Sequence, residues 1–179
     1  MDKQREIFSG IYDQYIDKIY RFIFLKISSQ EIAQDLTSET FLRGWEAFQR
    51  SQSPNPGEMK IENIQAFLYQ IARNLVIDFY REKGKNLIIS AENLRIADPQ
   101  ANLEEKAKFS SDFEQIKVSL ADLKEDYQEV IILHYINDLS IKEIAKTLNK
   151  PEGTVRVMIH RGLNALRALI NKEQRTINN

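Results

Sequence analysis

The sequence predicts an all-α protein built from two small helical modules joined by a flexible linker, and three observations support this fold class. Apolar residues recur at intervals of three and four along most of the chain, with no convincing run of period two. The 179 residues suffice for one ordinary domain or two small ones. The periodicity fades from Gly84 to about Ala107, where Asp98, Pro99 and Asn102 interrupt it. We therefore assign residues 1–83 to an N-terminal module, 84–108 to the linker and 109–179 to a C-terminal module.

Composition excludes several classes of protein. A hydrophobic content of 42% with 28% charged residues is typical of a soluble globular protein. The absence of cysteine excludes disulfides and thiolate zinc sites, and two histidines are too few for a histidine-built metal cluster. No apolar run approaches the roughly 20 residues of a membrane span, and the N-terminus lacks the apolar core of a signal peptide. We expect a cytoplasmic protein without a cofactor or membrane insertion, and a monomer because its apolar stripes are all needed internally.

Three helices account for the N-terminal module. After the first apolar stripe, Ser28 is the expected N-cap of the second helix, with Glu31 completing a capping box. The second helix is expected from about Ser29 to Phe48, and the following loop contains two prolines and a glycine. The third helix begins after this loop and is expected to end near Lys83. Its apolar stripe consists of Ile64, Phe67, Leu68, Ile71, Leu75 and Phe79.

The opposite face of the third helix combines aromatic and polar side chains. A rotation of about 100° per residue places this face on Tyr69, Arg73, Val76, Ile77 and Tyr80, flanked by Gln70, Asn74 and Arg81. Aromatic rings interleaved with arginine suit unpaired nucleic-acid bases, because rings provide stacking surfaces and arginine contacts phosphate. The alternative is that Tyr69 and Tyr80 belong to a helix–helix interface, and periodicity alone favours that reading.

The C-terminal module predicts a helix-turn-helix. A short helix is expected to begin near Ser110 or Ser111, and a further helix from Tyr127 to Tyr135 is expected to break at residues 136–139. Ser140 and Glu143 then form a capping box for a short helix, and residues 149–153 form a turn before the final helix. Two helices joined by such a turn, the second longer and basic, match the helix-turn-helix pattern.

The final helix has distinct inner and outer faces. Residues 139–179 carry eight basic and three acidic groups, which weakly indicates a polyanionic partner. The inner face holds Val155, Ile159, Gly162, Leu163, Leu166 and Ile170, and the outer face holds Arg156, Val157, His160, Arg161, Asn164 and Arg167. The outer face could read base edges and phosphates in a major groove. A plain helical hairpin with a solvated basic face remains the alternative.

Two long segments resemble one protein family. QEIAQDLTSETFLRGWEAFQ and IENIQAFLYQIARNLVIDFYREK resemble region 2 of the small bacterial RNA polymerase sigma factors of the extracytoplasmic-function (ECF) group, within the sigma-70 family. LKEDYQEVIILHYINDLSIKEIAKTLNKPEGTVRVMIHRGLNALRALI is similar to their region 4. Two such motifs in this order, with a linker in place of region 3, are highly specific. The resemblance covers nearly the whole chain.

The resemblance implies roles for three sets of residues. In the family, the DLTSETFLRGW helix docks on the clamp coiled coil of the largest polymerase subunit, which implicates Asp35, Leu36, Glu39, Thr40, Phe41 and Arg43. The loop from Ser51 to Asn63 corresponds to the element that captures a flipped base of the −10 motif. The third helix corresponds to the strand-contacting helix, which implicates Tyr69, Arg73, Asn74, Tyr80 and Arg81. The final helix corresponds to the −35 reader, which implicates Thr154, Arg156, Val157, Met158, His160 and Arg161.

The chain departs from the family pattern at three positions of the final helix. Val157 and Met158 stand where a small polar residue and an arginine are common, so apolar contact with a thymine methyl group would replace polar contact there. Gly162 stands where a better helix former is usual, at a cost of about 1 kcal/mol. Close packing against another helix would account for that glycine.

The function implied by the resemblance is promoter selection without catalysis. Such a protein binds bacterial core RNA polymerase, reads the −35 element as duplex and the −10 element as an unpaired strand, and is expected to bind DNA mainly within the holoenzyme. An anti-sigma factor, common in the family, would cover the polymerase-binding faces of both modules. The main alternative is a helix-turn-helix regulator whose N-terminal helices sense a ligand or dimerise. An enzyme is disfavoured because the chain has neither a glycine-rich phosphate loop nor a Glu-x-x-His pair.

Overall fold

The computed structural model describes residues 2–52, 61–89 and 117–177, and its regular elements are helical. In chain order, the elements are α1 (Asp2–Ile27), α2 (Gln30–Ser51), α3 (Ile64–Ile89), a helical stretch at residues 117–121, α4 (Glu125–Ile131), a π-helical turn (Ile132–Ile136), α5 (Ile141–Leu148) and α6 (Glu152–Ile177). The all-α prediction is confirmed. The helix expected to begin near Ser110 lies outside the described residues.

The N-terminal module is a three-helix bundle held together by large apolar side chains. Ile19, Phe22 and Ile23 of α1 and Leu68 of α3 are almost completely buried, which follows from their spacing along one side of each helix. Near the other end of α1, the Phe8 ring lies 5.1 Å from that of Trp45 on α2. Of the stripe predicted for α3, Leu68 and Leu75 are buried, whereas Ile64, Phe67, Ile71 and Phe79 are only half-buried. Tyr69 and Val76, predicted on the opposite face, are buried instead, so the prediction for α3 is only partly right.

The connection between α1 and α2 differs from the prediction. Ser28 has a positive φ of 59°, and its N–H donates to the carbonyl of Phe24 at 2.8 Å, so Ser28 closes the end of α1. Ser29 is the N-cap residue of α2, and its side chain makes no capping hydrogen bond. The capping box expected between Ser28 and Glu31 is wrong because a two-residue reversal uses Ser28 to end one helix.

The ends of α2 and α3 also lie further along the chain than expected. α2 runs to Ser51, and α3 continues past Lys83 to Ile89. An isolated glycine inside a helix costs about 1 kcal/mol relative to alanine, which a long helix tolerates. Gly84 therefore does not interrupt α3, and the first residues assigned to the linker are helical.

The helix-turn-helix is formed by α5 and α6, as predicted. Ser140 accepts a hydrogen bond from the N–H of Glu143, and the Glu143 carboxylate accepts one from the N–H of Ser140 at 2.7 Å, which completes the predicted capping box. Asn149 ends α5 in the left-handed conformation, with φ 51°. Asparagine adopts this conformation more readily than most residues, which favours a turn at this point.

A π-helical turn precedes the helix-turn-helix and ends the long apolar run of α4. The N–H of Asn137 donates to the carbonyl of Ile132 at 3.0 Å. This bond joins residues five apart in sequence, whereas an α-helical bond joins residues four apart. The chain then bends at the predicted break. Leu133 and Leu139 on either side of the bend are buried.

The two modules pack against each other. α3 contacts α5, and α1 contacts the π-helical turn. Several hydrogen bonds cross this interface: Asn137 Nδ2 donates to the carbonyl of Lys18 at 3.1 Å, and Gln70 Nε2 donates to that of Lys146 at 3.4 Å. We call this packing of the C-terminal module on α1 and α3 the closed arrangement.

Candidate nucleic-acid and polymerase interfaces

The outer face of α6 is exposed over its whole predicted extent. Every outer-face residue named from the helical wheel is exposed, and its inner-face partners are buried or half-buried. The basic members are Arg156, Arg161 and Arg167. The inner face packs on α4 and α5, so α6 is held as a rigid rod with one side free. Such a helix can enter a major groove of about 12 Å width.

Two polar pairs order the exposed face of α6. Arg156 Nη2 lies 3.1 Å from Glu152 Oε2, one turn towards the N-terminus. Asn164 Nδ2 and His160 Nε2 are 3.2 Å apart. Both pairs are solvent-exposed, so each contributes little to stability, and base or phosphate contacts can replace them at small cost. Thr154 and Arg161 are also exposed and complete the predicted set on this side.

Val157 and Met158 occupy different environments. Val157 is 48% exposed and lies on the outer face, where an apolar side chain can meet a thymine methyl group. Met158 is only 9% exposed and belongs to the same apolar core as Val155 and Ile159. Met158 therefore faces the core and would have to leave it to reach a groove.

Gly162 lets α6 approach α4 closely. A Cβ atom at this position would lie 3.2 Å from Cβ of Tyr127 and 3.3 Å from Cγ1 of Ile131. These distances are shorter than ordinary carbon–carbon contacts of 3.5–4.0 Å. The glycine that departs from the family pattern therefore has a packing role that the sequence analysis expected.

The five residues of α3 predicted to contact the −10 strand are in unequal environments. Asn74 and Arg81 are exposed, and Arg81 pairs with Asp78 at 2.9 Å. Tyr80 is half-exposed, and its hydroxyl donates to the carbonyl of Lys26 at 2.5 Å. Burial, reinforced by the charge of Glu125, raises the pKa of the Tyr80 phenol. Tyr80 and Arg81 lie in the C-terminal half of α3, and Asn74 lies near its middle.

Tyr69 is completely buried. Its ring meets that of Phe22 edge-on, with the centroids 5.5 Å apart, and its hydroxyl has no partner at hydrogen-bonding geometry. Burial raises the pKa of this phenol strongly, while Asn137 and Arg21 act in the opposite direction. In the closed arrangement Tyr69 belongs to a helix interface, which is the alternative that its periodicity favoured.

Arg73 and Lys26 share one buried carboxylate from the C-terminal module. Arg73 Nε lies 3.0 Å from both Oε1 and Oε2 of Glu129, and Lys26 Nζ lies 3.4 Å from Oε1. The side chains of Lys26 and Glu129 are each 2% exposed, and that of Arg73 is 32% exposed. Lys26 and Glu129 were not selected from the sequence, because a single charge on an apolar helix gives no signal of its partner.

The α2 residues predicted to bind polymerase divide into exposed and buried groups. Asp35 and Arg43 are exposed, and Glu39 bonds Arg43 at 2.6 Å one turn away. Thr40 and Phe41 face the bundle core. Phe41 packs edge-on against the ring of Tyr12 at 4.8 Å, and Thr40 donates to the carbonyl of Leu36. Thr40 and Phe41 therefore position the exposed face without presenting their side chains on it.

Leu42 is a surface residue that the sequence analysis did not select. It lies between Phe41 and Arg43 and is 53% exposed, although leucine is usually buried. A single exposed leucine is common on protein surfaces, so Leu42 gains a role only through the face of α2 that it shares with Glu39 and Arg43. The available sequence signal was the step of about 100° from Phe41 to Leu42, which turns the Leu42 side chain away from the core.

Two family models match the chain. Sigma-70 region 2 matches residues 11–86, and Sigma-70, region 4 matches residues 113–166. Among curated relatives, the ECF RNA polymerase sigma factor SigW of Bacillus subtilis is 33% identical over 175 residues, covering 91% of this chain and 88% of SigW. The ECF RNA polymerase sigma factor BldN of Streptomyces coelicolor is 29% identical over 173 residues, covering 96% of this chain, which spans 63% of BldN.

Solved structures share the fold. The sigma factor RpoE from Bartonella quintana, determined in complex with the anti-sigma factor NepR, superimposes with a TM-score of 0.70 at 24% identity. The alignment covers 93% of this chain and 98% of RpoE. CnrH, determined with the cytosolic domain of CnrY, gives a TM-score of 0.66 at 20% identity.

The fold and the two family matches define a bacterial transcription factor of the sigma-70 family, built from two helical modules. One module carries a helix-turn-helix, and the other carries an aromatic and basic helix. With both family models matched in order and a relative such as SigW at 33% identity, the chain belongs to the ECF group of the sigma-70 family. It is a promoter-recognition subunit of RNA polymerase and has no catalytic activity of its own. The stand-alone regulator is not favoured.

Proposed function

We propose that α6 reads the −35 element, that α3 contacts the −10 strand, and that the exposed face of α2 binds core RNA polymerase. The observation that carries this proposal is the exposed, basic outer face of α6 on a chain whose two modules match Sigma-70 regions 2 and 4. The proposal keeps the division into residues 1–83, 84–108 and 109–179 suggested by the sequence, with helix α3 of the first module running on to Ile89.

Reading of the −35 duplex is assigned to the outer face of α6. Thr154, Arg156, His160 and Arg161 would supply hydrogen bonds to bases and phosphates, and Val157 would contact a thymine methyl group. Exposure of these side chains supports the assignment. Met158 would act by holding the helix in place, since it lies in the core.

Reading of the −10 strand is assigned to α3. Tyr69 and Tyr80 would stack on unpaired bases, and Arg73, Asn74 and Arg81 would contact the phosphate backbone or base edges. Holding an extruded base would offset the few kcal/mol lost when it leaves the stack, so recognition and melting would be one event. The loop proposed to capture that base falls largely on residues 53–60, outside the described residues.

Binding of core polymerase is assigned to α2. Asp35, Glu39 and Arg43 would form polar contacts around Leu42, with Leu36 partly buried beside them and Thr40 and Phe41 supporting the surface from below. An exposed apolar residue ringed by charges fits a protein interface with an apolar centre and a polar rim.

The proposal includes an anti-sigma factor as a further partner and the cytoplasm as the place of action. A structural neighbour, RpoE, was determined with an anti-sigma factor, and such a partner here would cover the polymerase-binding faces. The polymerase that this chain serves acts in the cytoplasm. Within the described ranges, no helix is both long and apolar enough to cross a membrane.

Run-off transcription from a genomic promoter library tests the proposal, using bacterial core polymerase with and without the protein. We expect transcripts that appear only with the protein and that share paired upstream motifs. Arg43→Glu should weaken core binding in a pull-down assay, and Arg161→Ala should leave core binding intact but lower transcription. The control is Arg5→Glu on α1, an exposed arginine with no assigned role. Tight operator binding without core binding would instead establish the stand-alone regulator.

A further inference from the structure

In the closed arrangement, the C-terminal module covers part of the face of α3 that is assigned to the −10 strand. Tyr69 is wholly buried, and Asn137 and Glu143 of the C-terminal module lie close enough to its hydroxyl to affect its pKa. Arg73 is engaged by Glu129. While this packing persists, Tyr69 cannot stack on a base, and Arg73 Nε is occupied by a carboxylate instead of a phosphate.

Glu129 is placed for contact between the modules. It lies on α4, but the charged partners of its carboxylate, Lys26 and Arg73, both belong to the N-terminal module. A carboxylate that is 2% exposed is costly to bury without partners, whereas the same group on a separated C-terminal module could face water. The position of this charge therefore suits a contact that forms and separates.

We propose that the closed arrangement is autoinhibitory and that Glu129 occupies Arg73 in place of a phosphate of the −10 strand. Both carboxylate oxygens lie 3.0 Å from Arg73 Nε, and a phosphate offers the same pair of anionic oxygens to a guanidinium. This inference rests on the proposed role of α3. It adds that the free protein is closed, and that the −10 strand and the C-terminal module compete for one surface.

The interface has the properties of one that can open. The Asn137 side chain lies close enough to the Tyr69 hydroxyl to lower its pKa, but Tyr69 Oη and Asn137 Oδ1 form no hydrogen bond of good geometry, so this buried polar contact stabilises the closed arrangement less than a formed bond would. A cleft of about 370 Å³ lined by Lys26, Tyr80 and Glu125, among others, runs along the seam between the modules. An intact buried ion pair approximately balances its desolvation cost, but removing the carboxylate alone leaves Lys26 buried without its partner and destabilises the closed arrangement.

The first test compares Glu129→Gln with Glu125→Gln in the full chain. Both changes remove one negative charge from α4, but the Glu125 side chain is 65% exposed and lies 3.9 Å from Lys26. The probe is a fluorescein-labelled single strand of random sequence, and binding is followed by fluorescence anisotropy. We expect E129Q to bind about tenfold more tightly than the wild type, the change expected for loss of one charge-assisted bond. E125Q should match the wild type, and Arg73→Ala added to E129Q should abolish the gain.

The second test fixes the closed arrangement reversibly and does not depend on E129Q folding. The natural chain has no cysteine, so Gln70→Cys and Lys146→Cys introduce one defined pair across the interface. A bis-methanethiosulfonate linker should bridge them within one molecule, and a reducing agent should release them. We expect the bridged protein to lose strand binding and to regain it on reduction, with each single-cysteine variant unaffected.

The outcomes separate this inference from the proposed function. Failure of the linker to bridge the pair in free protein would overturn the closed arrangement, as would equal strand binding before and after bridging. E129Q binding no better than E125Q, with native circular dichroism, would overturn the role of Glu129. A holoenzyme that transcribes normally with Arg73→Ala would contradict the −10 assignment instead, while the bridging yield would still report closure.

Discussion

Replacing Gly162 by alanine is expected to destabilise the C-terminal module, although alanine is the better helix former. The added methyl group would lie 3.2 Å from Cβ of Tyr127 and 3.4 Å from its carbonyl oxygen. Neither atom can rotate away, because one is bonded directly to the backbone and the other belongs to it. The helices must therefore separate slightly, or the methyl group must remain in a repulsive contact.

The magnitude follows from two opposing contributions. Alanine in place of an interior glycine favours a helix by about 1 kcal/mol. Overpacking a well-filled contact costs typically about 1–3 kcal/mol. The expected result is a free energy of unfolding lowered by up to about 2 kcal/mol, because the rigid Tyr127 backbone leaves little room for relaxation.

Gly153→Ala is the matched control because it makes the same substitution in the first turn of α6, where no atom lies within 4 Å of the added Cβ. That variant should be as stable as the wild type or more stable by up to about 1 kcal/mol. Urea unfolding followed by circular dichroism measures both. If G162A proved as stable as G153A, the close contact between α4 and α6 would not constrain the module as described.

Three further predictions concern stability. Ser140→Ala should lower the free energy of unfolding by about 1 kcal/mol through loss of the capping box, measured by urea unfolding; an unchanged midpoint would contradict the cap. Hydrogen bonds from the Ser140 side chain and backbone lower the pKa of Glu143 from 4.5, so they stabilise the fold above that value and less as the pH falls through the lowered pKa. Glu143→Gln should therefore reduce the acid sensitivity of the melting temperature, and an unaltered pH profile would refute this. Tyr69→Phe should leave stability unchanged or raise it by up to about 1 kcal/mol, because it removes a buried hydroxyl without a partner; a large loss in thermal melts would show that the hydroxyl is bonded.

The helices and the two faces of α6 could be predicted because they depend on local spacing. An inner stripe at intervals of three and four, a capping box and a turn before residue 152 each require only a short stretch of sequence. The helical wheel places Gly162 on the inner face of α6, which predicts close packing there without identifying α4 as the neighbour. The Ser28 capping box failed because serine suits both a helix start and a tight reversal.

The environment of α3 could not be predicted in the same way. α3 is buried on two sides, and periodicity identifies apolar stripes without identifying which element covers them. Tyr69 therefore fitted both strand stacking and a helix interface. The partner of Arg73 lies 56 residues away on α4, and a pairing of that kind depends on how the modules pack.

The contact between Glu129 and Arg73 also affects how activity depends on the amount of protein in a cell. Both groups belong to one polypeptide, so the contact forms within a single molecule at an effective concentration set by the chain that connects them. Dilution therefore does not open it, and higher expression does not saturate it. A separate inhibitor protein can be titrated by excess sigma factor. An inhibitory contact within the chain is instead present once in every molecule, whatever the expression level. The fraction of open molecules therefore changes when a partner binds the chain, and not when more of the chain is made.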